Sequence, residues 1–141
     1  MGVDISTPEG MEVIYELAKT ADVFLTNTRP VSLRKYGLDE ATLRAANPRL
    51  VYARVTGWGQ TGPYAPYAGH DINYIALAGV LHAFGRRGEA PVPPLNLVGD
   101  FGGGGMLLAF GMVSGLLAVK MGAPGQVVDA AMTEGAALLA S

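Results

Sequence analysis

The sequence predicts an α/β fold with a parallel β-sheet and helices on both faces of that sheet. Three runs rich in apolar, branched and aromatic residues predict strands, within residues 22–26, 49–59 and 126–130. Segments with helical spacing of apolar residues separate these runs. Strands that are apolar throughout and alternate with helices are typical of a parallel sheet that is buried on both faces.

Local signals place the predicted helices. Thr7 can cap the first helix and Pro8 suits its first turn, while Ser6 and Glu9 resemble a capping box. Gly37 closes a short helix, as glycine often does. Further helices are predicted within residues 39–48, 70–84, 103–121 and 133–141.

Composition excludes several function classes. The chain has 141 residues, of which 50% are hydrophobic and 16% charged, so it predicts a globular domain rather than a disordered segment. The net charge of −2 gives no electrostatic footprint for a nucleic-acid partner. The absence of cysteine rules out disulfides and thiolate catalysis, and two histidines alone make a poor zinc site, so we expect no metal.

One apolar segment is long enough to raise the question of a membrane span. Residues 101–119 carry no charge and contain Gly111 and Gly115, whose spacing lets helices approach closely. Four consecutive glycines, a preceding Asp100 and the lack of an aromatic belt favour a buried helix instead. The N-terminus lacks a basic segment followed by an apolar core, so we expect a cytoplasmic protein with no membrane span.

Two chemically active residues stand at the predicted starts of apolar helices. His70 in "GHDINY" and Asp100 in "GDFGGGG" each follow a glycine. Histidine and aspartate are common general acids and bases. Both have structural alternatives, since His70 can be a capping or loop residue and Asp100 can cap the helix at 103–121. His82 is interpreted as a packed, hydrogen-bonded side chain.

The glycine run at 102–105 allows two interpretations of equal weight. It lacks the Gly-Lys-Ser/Thr sequence of a phosphate-binding loop and does not match a dinucleotide fingerprint. Glycines at a helix start expose backbone N–H groups that can hold an anion, including a transient enolate oxygen. Alternatively, the run permits a tight helix–helix crossing.

Two cations follow the first predicted strand. In an open parallel sheet, ligands gather at the carboxyl ends of the strands. Arg29 and Lys35 would suit phosphates there, although isolated cations are more commonly solvated surface charges.

Five segments together resemble a known family. They are "ADVFLTNTRP", "LVYARVTGWGQTGPY", "AGHDINY", "PVPPLNLVGDFGGGG" and "GQVVDAAM". Taken together they are similar to the family III CoA-transferase and racemase group, and most of all to its bacterial α-methylacyl-CoA racemases. The resemblance runs from about Val3 to Ser141. It implies a single partial domain over residues 1–141, an internal slice of a large Rossmann-like domain, in a protein that forms interlocked homodimers at full length.

The resemblance also implies a reaction. Transferases of the group use an aspartate nucleophile at the position resembling Asp100 and usually lack a histidine at the position of His70, whereas racemases use both residues. We therefore expect an isomerase of fatty acid metabolism, a 2-methylacyl-CoA racemase with His70 and Asp100 as its two acid/base residues. The alternatives are a CoA-transferase with Asp100 as nucleophile and an inactive fragment. CoA would enter as part of the substrate, with no other cofactor.

By resemblance, a set of residues lines the CoA site. These are Val3, Asp4, Ile5, Ser6, Asn27, Thr28, Arg29, Lys35, Gly69, His70, Asp71, Ile72, Asn73 and Tyr74. The sequence departs from the racemases at two of these positions. The racemases carry arginine where this chain has Lys35, and lysine where it has Ser6. The first change keeps the charge but loses the bidentate fork of a guanidinium group.

Overall fold

The computed structural model describes residues 2–141, which form two compact units. The first unit contains the chain up to Arg54 together with Gly111–Val128. The second unit contains Val55–Phe110 and Asp129–Ser141. The expectation of one partial domain over the whole chain stays a prediction.

Three strands form the sheet, and they confirm the predicted α/β class. They are β1 (Val23–Thr26), β2 (Val51–Thr56) and β3 (Val127–Ala131), in the order β1-β2-β3. Strands β1 and β2 are parallel, and the Tyr52 N–H donates to the Gln126 carbonyl at 2.8 Å. Strands β1 and β2 lie within their predicted runs, and β3 extends one residue beyond its predicted run of 126–130.

Six α-helices and two other helical segments complete the described residues. The α-helices are α1 (Pro8–Thr20), α2 (Pro30–Lys35), α3 (Glu40–Ala46), α4 (Asp71–Leu77), α5 (Leu107–Lys120) and α6 (Met132–Leu139). A 3₁₀ turn spans Val80–Ala83, and a π-helical segment spans Leu97–Met106 and continues into α5.

The start of α1 agrees with its sequence signal in one respect and differs in another. The Thr7 hydroxyl accepts the Gly10 N–H at 3.1 Å, so the predicted cap is confirmed. The predicted capping box is wrong, because the Ser6 hydroxyl donates to the Asp4 carboxylate at 2.6 Å.

The first unit has its core where α1, α2 and α3 meet the sheet. Leu43 and Leu50 are fully buried there, beside Ala18, Leu33 and Leu38. Such burial of apolar side chains stabilises a unit by roughly 25 cal/mol per Å² removed from water.

The two helices that carry the candidate acid/base residues differ from their predicted bounds. The helix predicted over 70–84 ends at Leu77, because Gly79 takes a left-handed conformation with φ +80° and starts the 3₁₀ turn. The helix predicted over 103–121 begins six residues earlier, at Leu97, as a π-helical segment. Asp100 therefore lies inside a helical segment and does not cap it.

The helical run Leu97–Lys120 is 24 residues long and apolar enough to cross a membrane by length and composition. The core helix of a soluble protein meets the same criterion. Within the described residues only 28% of its most apolar stretch is buried, so much of the expected buried helix is exposed.

Candidate active site

His70 directly precedes α4 in the second unit. Its backbone is extended, with φ −131° and ψ 166°, and its side chain is exposed. The Asn73 side-chain oxygen accepts the His70 N–H at 2.9 Å, while the His70 carbonyl accepts the Asn73 N–H at 2.8 Å. This reciprocal pair fixes the backbone at the point where the imidazole projects.

An aromatic cluster supports the turn before His70. The Trp58 ring lies edge-on to Tyr74, with 4.8 Å between centroids, and 5.1 Å from Tyr64. A β carbon at Gly69 would come within 2.7 Å of the Tyr74 ring and 2.8 Å of Trp58, so only glycine permits this packing. The rigid side chains thereby hold α4 and the preceding turn together.

Asp100 occupies the first turn of the π-helical segment and is half-buried. The Asn96 amide approaches its carboxylate at 3.4 Å, a long and therefore weak hydrogen bond.

Asp71 joins the elements that carry the two candidate acid/base residues. Its carboxylate accepts the backbone N–H of Asp100 at 2.7 Å, and Asp71 follows His70 directly in the chain. The α carbons of His70 and Asp100 are therefore connected through one peptide unit, the Asp71 side chain and one hydrogen bond. The summed lengths of these connections limit the distance between the two α carbons to about 12 Å. The structure thus brings the two residues into one region of the second unit.

The pKa of Tyr74 depends on the charged groups of this region. Burial raises the pKa of its phenol, and the negative charges of Asp100 and then Asp71 raise that pKa further. The three side chains therefore share one electrostatic environment.

The glycine run serves helix packing. A β carbon at Gly103 would come within 2.5 Å of the Ala136 nitrogen, and one at Gly104 within 2.9 Å of Met132. In a π-helix each N–H donates to the carbonyl five residues earlier, so the amides of 102–105 belong to the helical ladder. The tight-crossing interpretation is confirmed, and the expectation that these amides are free to hold an enolate oxygen is wrong.

The predicted CoA-site residues of the first unit lie before α1, after β1 and at the end of α2. Val3 is half-buried, and Asp4, Ile5 and Ser6 are exposed. The Ser6 hydroxyl and amide lower the pKa of the Asp4 carboxyl. The exposed side chains of Asn27, Thr28 and Arg29 follow the carboxyl end of β1, as expected.

Lys35 ends α2 and is also exposed. Its ammonium lies 5.4 Å from the centre of the Tyr36 ring, a cation–π contact. This contact holds the charge near the surface of the first unit.

The predicted CoA-site residues of the second unit divide by burial. The side chains of Ile72 and Asn73 are exposed beside His70, whereas Asp71 and Tyr74 are buried. Gly69 is half-buried against the aromatic cluster. The role of all these residues in CoA binding stays a prediction, and no group of three potential metal ligands occurs within residues 2–141.

The residues that support the site were not among the predicted site residues. Gly57 and Trp58 lie in the long loop that follows β2, and a β carbon at Gly57 would collide with the Tyr74 ring. Gly99 lies against Asp71. The paired glycines of "GWG" were an available signal, while nothing local marks Gly99 as a contact of Asp71.

Comparison with known proteins identifies the group to which the chain is similar. The family described as CoA-transferase family III matches residues 1–141. The chain belongs to this family. The mouse (Mus musculus) α-methylacyl-CoA racemase is 45% identical over 141 residues, which are 100% of this chain and 37% of that protein.

Other family members extend the comparison to a second activity and to the fold. The human (Homo sapiens) succinyl-CoA:glutarate CoA-transferase is 34% identical over 130 residues, which are 92% of this chain and 29% of that protein. The crystal structure of a CAIB/BAIF family protein from Brucella suis superposes with a TM-score of 0.90 at 31% identity, covering 99% of this chain and 36% of that one. The chain therefore spans between 29% and 37% of the length of these three proteins, and the family contains both racemases and transferases.

Proposed function

We propose that the protein to which this chain belongs racemises 2-methylacyl-CoA thioesters by two-base proton transfer. His70 and Asp100 are its acid/base pair. The contact that carries the proposal is the 2.7 Å hydrogen bond from the Asp100 N–H to the Asp71 carboxylate, which ties the residue after His70 to Asp100. The sequence "GHDINY" supplies the histidine that transferases of the group usually lack.

The chemistry inverts one carbon without any redox change. One residue of the pair removes the proton from the α carbon, and the electron pair of that C–H bond passes into the thioester enolate. The other residue, already protonated, returns a proton to the opposite face of the carbon. After one turnover the protonation states of His70 and Asp100 are exchanged, so the pair is set for the reverse direction.

The enolate oxygen needs hydrogen-bond donors that are already oriented. Since the amides of 102–105 belong to a helical ladder, we assign this role to the amides of the first turn of α4, at Asp71 and Ile72, which directly follow His70. First-turn amides have no acceptor within their own helix. CoA is the carrier of the substrate, and we assign Arg29 and Lys35 to its phosphates.

The proposal can be tested by measuring deuterium incorporation and inversion by the complete protein in heavy water. Incubation with one enantiomer of a 2-methylacyl-CoA should incorporate deuterium at the α carbon and produce the other enantiomer. His70→Ala and Asp100→Ala should each reduce inversion by about 10²- to 10⁴-fold, because each removes a proton carrier. Wild-type protein that incorporates no α deuterium would refute the racemase assignment.

The transferase is the second candidate, since a CoA-transferase is among the relatives. In that reaction the Asp100 carboxylate would attack the thioester carbonyl, the C–S bond would break to release CoA as its thiolate, and an acyl anhydride would remain on Asp100. Transfer of CoA to an added carboxylate, without α exchange and lost in Asp100→Ala but not in His70→Ala, would select it.

A further inference from the structure

We infer that Asp71 is a positioning residue, whose buried carboxylate sets the separation of the two acid/base residues. This inference rests on the proposed function. His70 and Asp100 belong to segments separated by 29 residues of chain, and two bases on opposite sides of one carbon must keep a fixed separation. Asp71 is covalently next to one of them and hydrogen-bonded to the backbone of the other.

The carboxylate of Asp71 is buried in the second unit. Asp71 is only 5% exposed, and the short 2.7 Å bond to the Asp100 N–H is of the charge-assisted kind. The other carboxylate oxygen, Oδ1, is buried without a hydrogen-bond partner among the described residues. An incompletely paired buried carboxylate costs stability, so stability alone does not account for an aspartate at this position.

Gly99 makes the contact possible. A β carbon at this position would lie 2.7 Å from Oδ2 of Asp71 and 2.9 Å from its Cγ. Contacts under 3.0 Å to a β carbon require the neighbour to move. Gly99→Ala therefore offers a way to displace the Asp71 carboxylate without removing it.

The consequence for the reaction is specific. Loss of the hydrogen bond between the Asp100 N–H and Asp71 leaves the Asp100 side chain intact but lets its backbone move. The hydrogen bond from the His70 N–H to Asn73 still fixes the backbone of His70. His70 can then continue to exchange the α proton with solvent on its own face, but return of a proton from the opposite face is slowed. A general loss of folding would instead lower α exchange and inversion together.

The experiment measures α-deuterium exchange and inversion in parallel for complete proteins. The variants are Asp71→Ala, Asp71→Asn, Gly99→Ala and the control Glu134→Ala, which removes an exposed carboxylate of α6 in the same unit. For Asp71→Ala and Gly99→Ala we expect kcat for inversion to fall by about 10- to 100-fold, with KM changed by less than about 3-fold. The ratio of exchange to inversion should rise for the enantiomer whose proton His70 removes. Asp71→Asn should restore most of the rate, because its amide oxygen can accept the same N–H.

Hydrogen exchange of the Asp100 amide provides a measurement that does not depend on turnover. Its protection should fall by about 10-fold or more in Asp71→Ala and remain in Asp71→Asn and Glu134→Ala. Unchanged inversion in Asp71→Ala, equal losses in Asp71→Ala and Asp71→Asn, or a parallel fall of exchange and inversion would overturn the inference. Wild-type protein without α exchange would instead remove the proposed function, and a protected Asp100 amide would then show that the contact is structural only.

Discussion

Tyr52 shows how burial at a single residue sets a pH limit on the first unit. Its ring stacks on Phe24 with 5.2 Å between centroids, and its hydroxyl donates to the Leu38 carbonyl at 2.9 Å. Burial raises the pKa of Tyr52 from 10.0 to about 12, and the negative charge of Glu40 adds to the rise. The folded protein therefore holds a proton that the unfolded chain loses first.

This difference predicts a loss of stability at alkaline pH. Below pH 10.0 both states of the protein keep the Tyr52 proton, so the group adds no pH dependence there. Between pH 10.0 and about 12 only the unfolded chain releases it, and the free energy of unfolding should fall by up to about 3 kcal/mol. Urea denaturation across this range should show a smaller fall for Tyr52→Phe. Parallel pH profiles for the two proteins would contradict the raised pKa.

At the scale of elements, the crossing of the π-helical segment and α6 depends on glycine. Gly103 and Gly135 are both buried, and a β carbon on either would meet backbone atoms of the other helix. Backbone atoms cannot rotate away as a flexible side chain can, so a larger residue must separate the helices. This crossing places the segment that carries Asp100.

Gly103→Ala should therefore destabilise the protein by about 1–3 kcal/mol through overpacking. Gly105→Ala is the matched control, because a β carbon at Gly105 would lie 3.6 Å from the Asp100 carbonyl oxygen, an ordinary van der Waals distance. The control should be neutral or stabilising by up to about 1 kcal/mol, as alanine favours helices over glycine. Equal unfolding temperatures of the two variants would contradict the packing.

The cap of α3 gives a second element-scale prediction. The Asp39 carboxylate accepts hydrogen bonds from the Thr42 N–H at 3.1 Å and from the Thr42 hydroxyl at 3.0 Å. The hydrogen bond from the Thr42 N–H lowers the pKa of Asp39 below its usual value. Asp39→Ala should lower the free energy of unfolding by about 0.5–2 kcal/mol, while Asp39→Asn should retain most of it. Chemical denaturation at neutral pH measures both, and an unchanged Asp39→Ala variant would show that the cap has no energetic role.

Elements whose signals are local were predictable from the sequence, and those set by tertiary contacts were not. The cap at Thr7 and the strand at Val51–Thr56 follow from residue types within a few positions. The early start at Leu97 does not, because its π-helical turn depends on packing against α4 and α6. The roles of His70 and Asp100 stay predictions, and the contact between Asp71 and Asp100 has no local signal because it connects residues 29 positions apart.

At the scale of the whole molecule, the second half of α5 and the residue after it expose an apolar stripe. Its members recur at intervals of four residues, which places them on one helix face. They are Val113, Leu117 and Met121, each more than half exposed. Exposed apolar surfaces of this kind promote association.

We therefore predict that the 141-residue chain by itself self-associates. Sedimentation velocity should show a mass that rises with concentration, and Val113→Lys combined with Leu117→Glu should reduce that rise. A 141-residue chain that stays monomeric at all concentrations would contradict the prediction for this face.

The proposed reaction requires one imidazole and one carboxylate on opposite faces of the same α carbon. A crystal structure of the complete protein with a bound 2-methylacyl-CoA would show their positions. We expect a ring nitrogen of His70 and a carboxylate oxygen of Asp100 each about 3–3.5 Å from the α carbon, on opposite sides of it. Both groups on one side, or either group separated from the α carbon by other side chains, would contradict it.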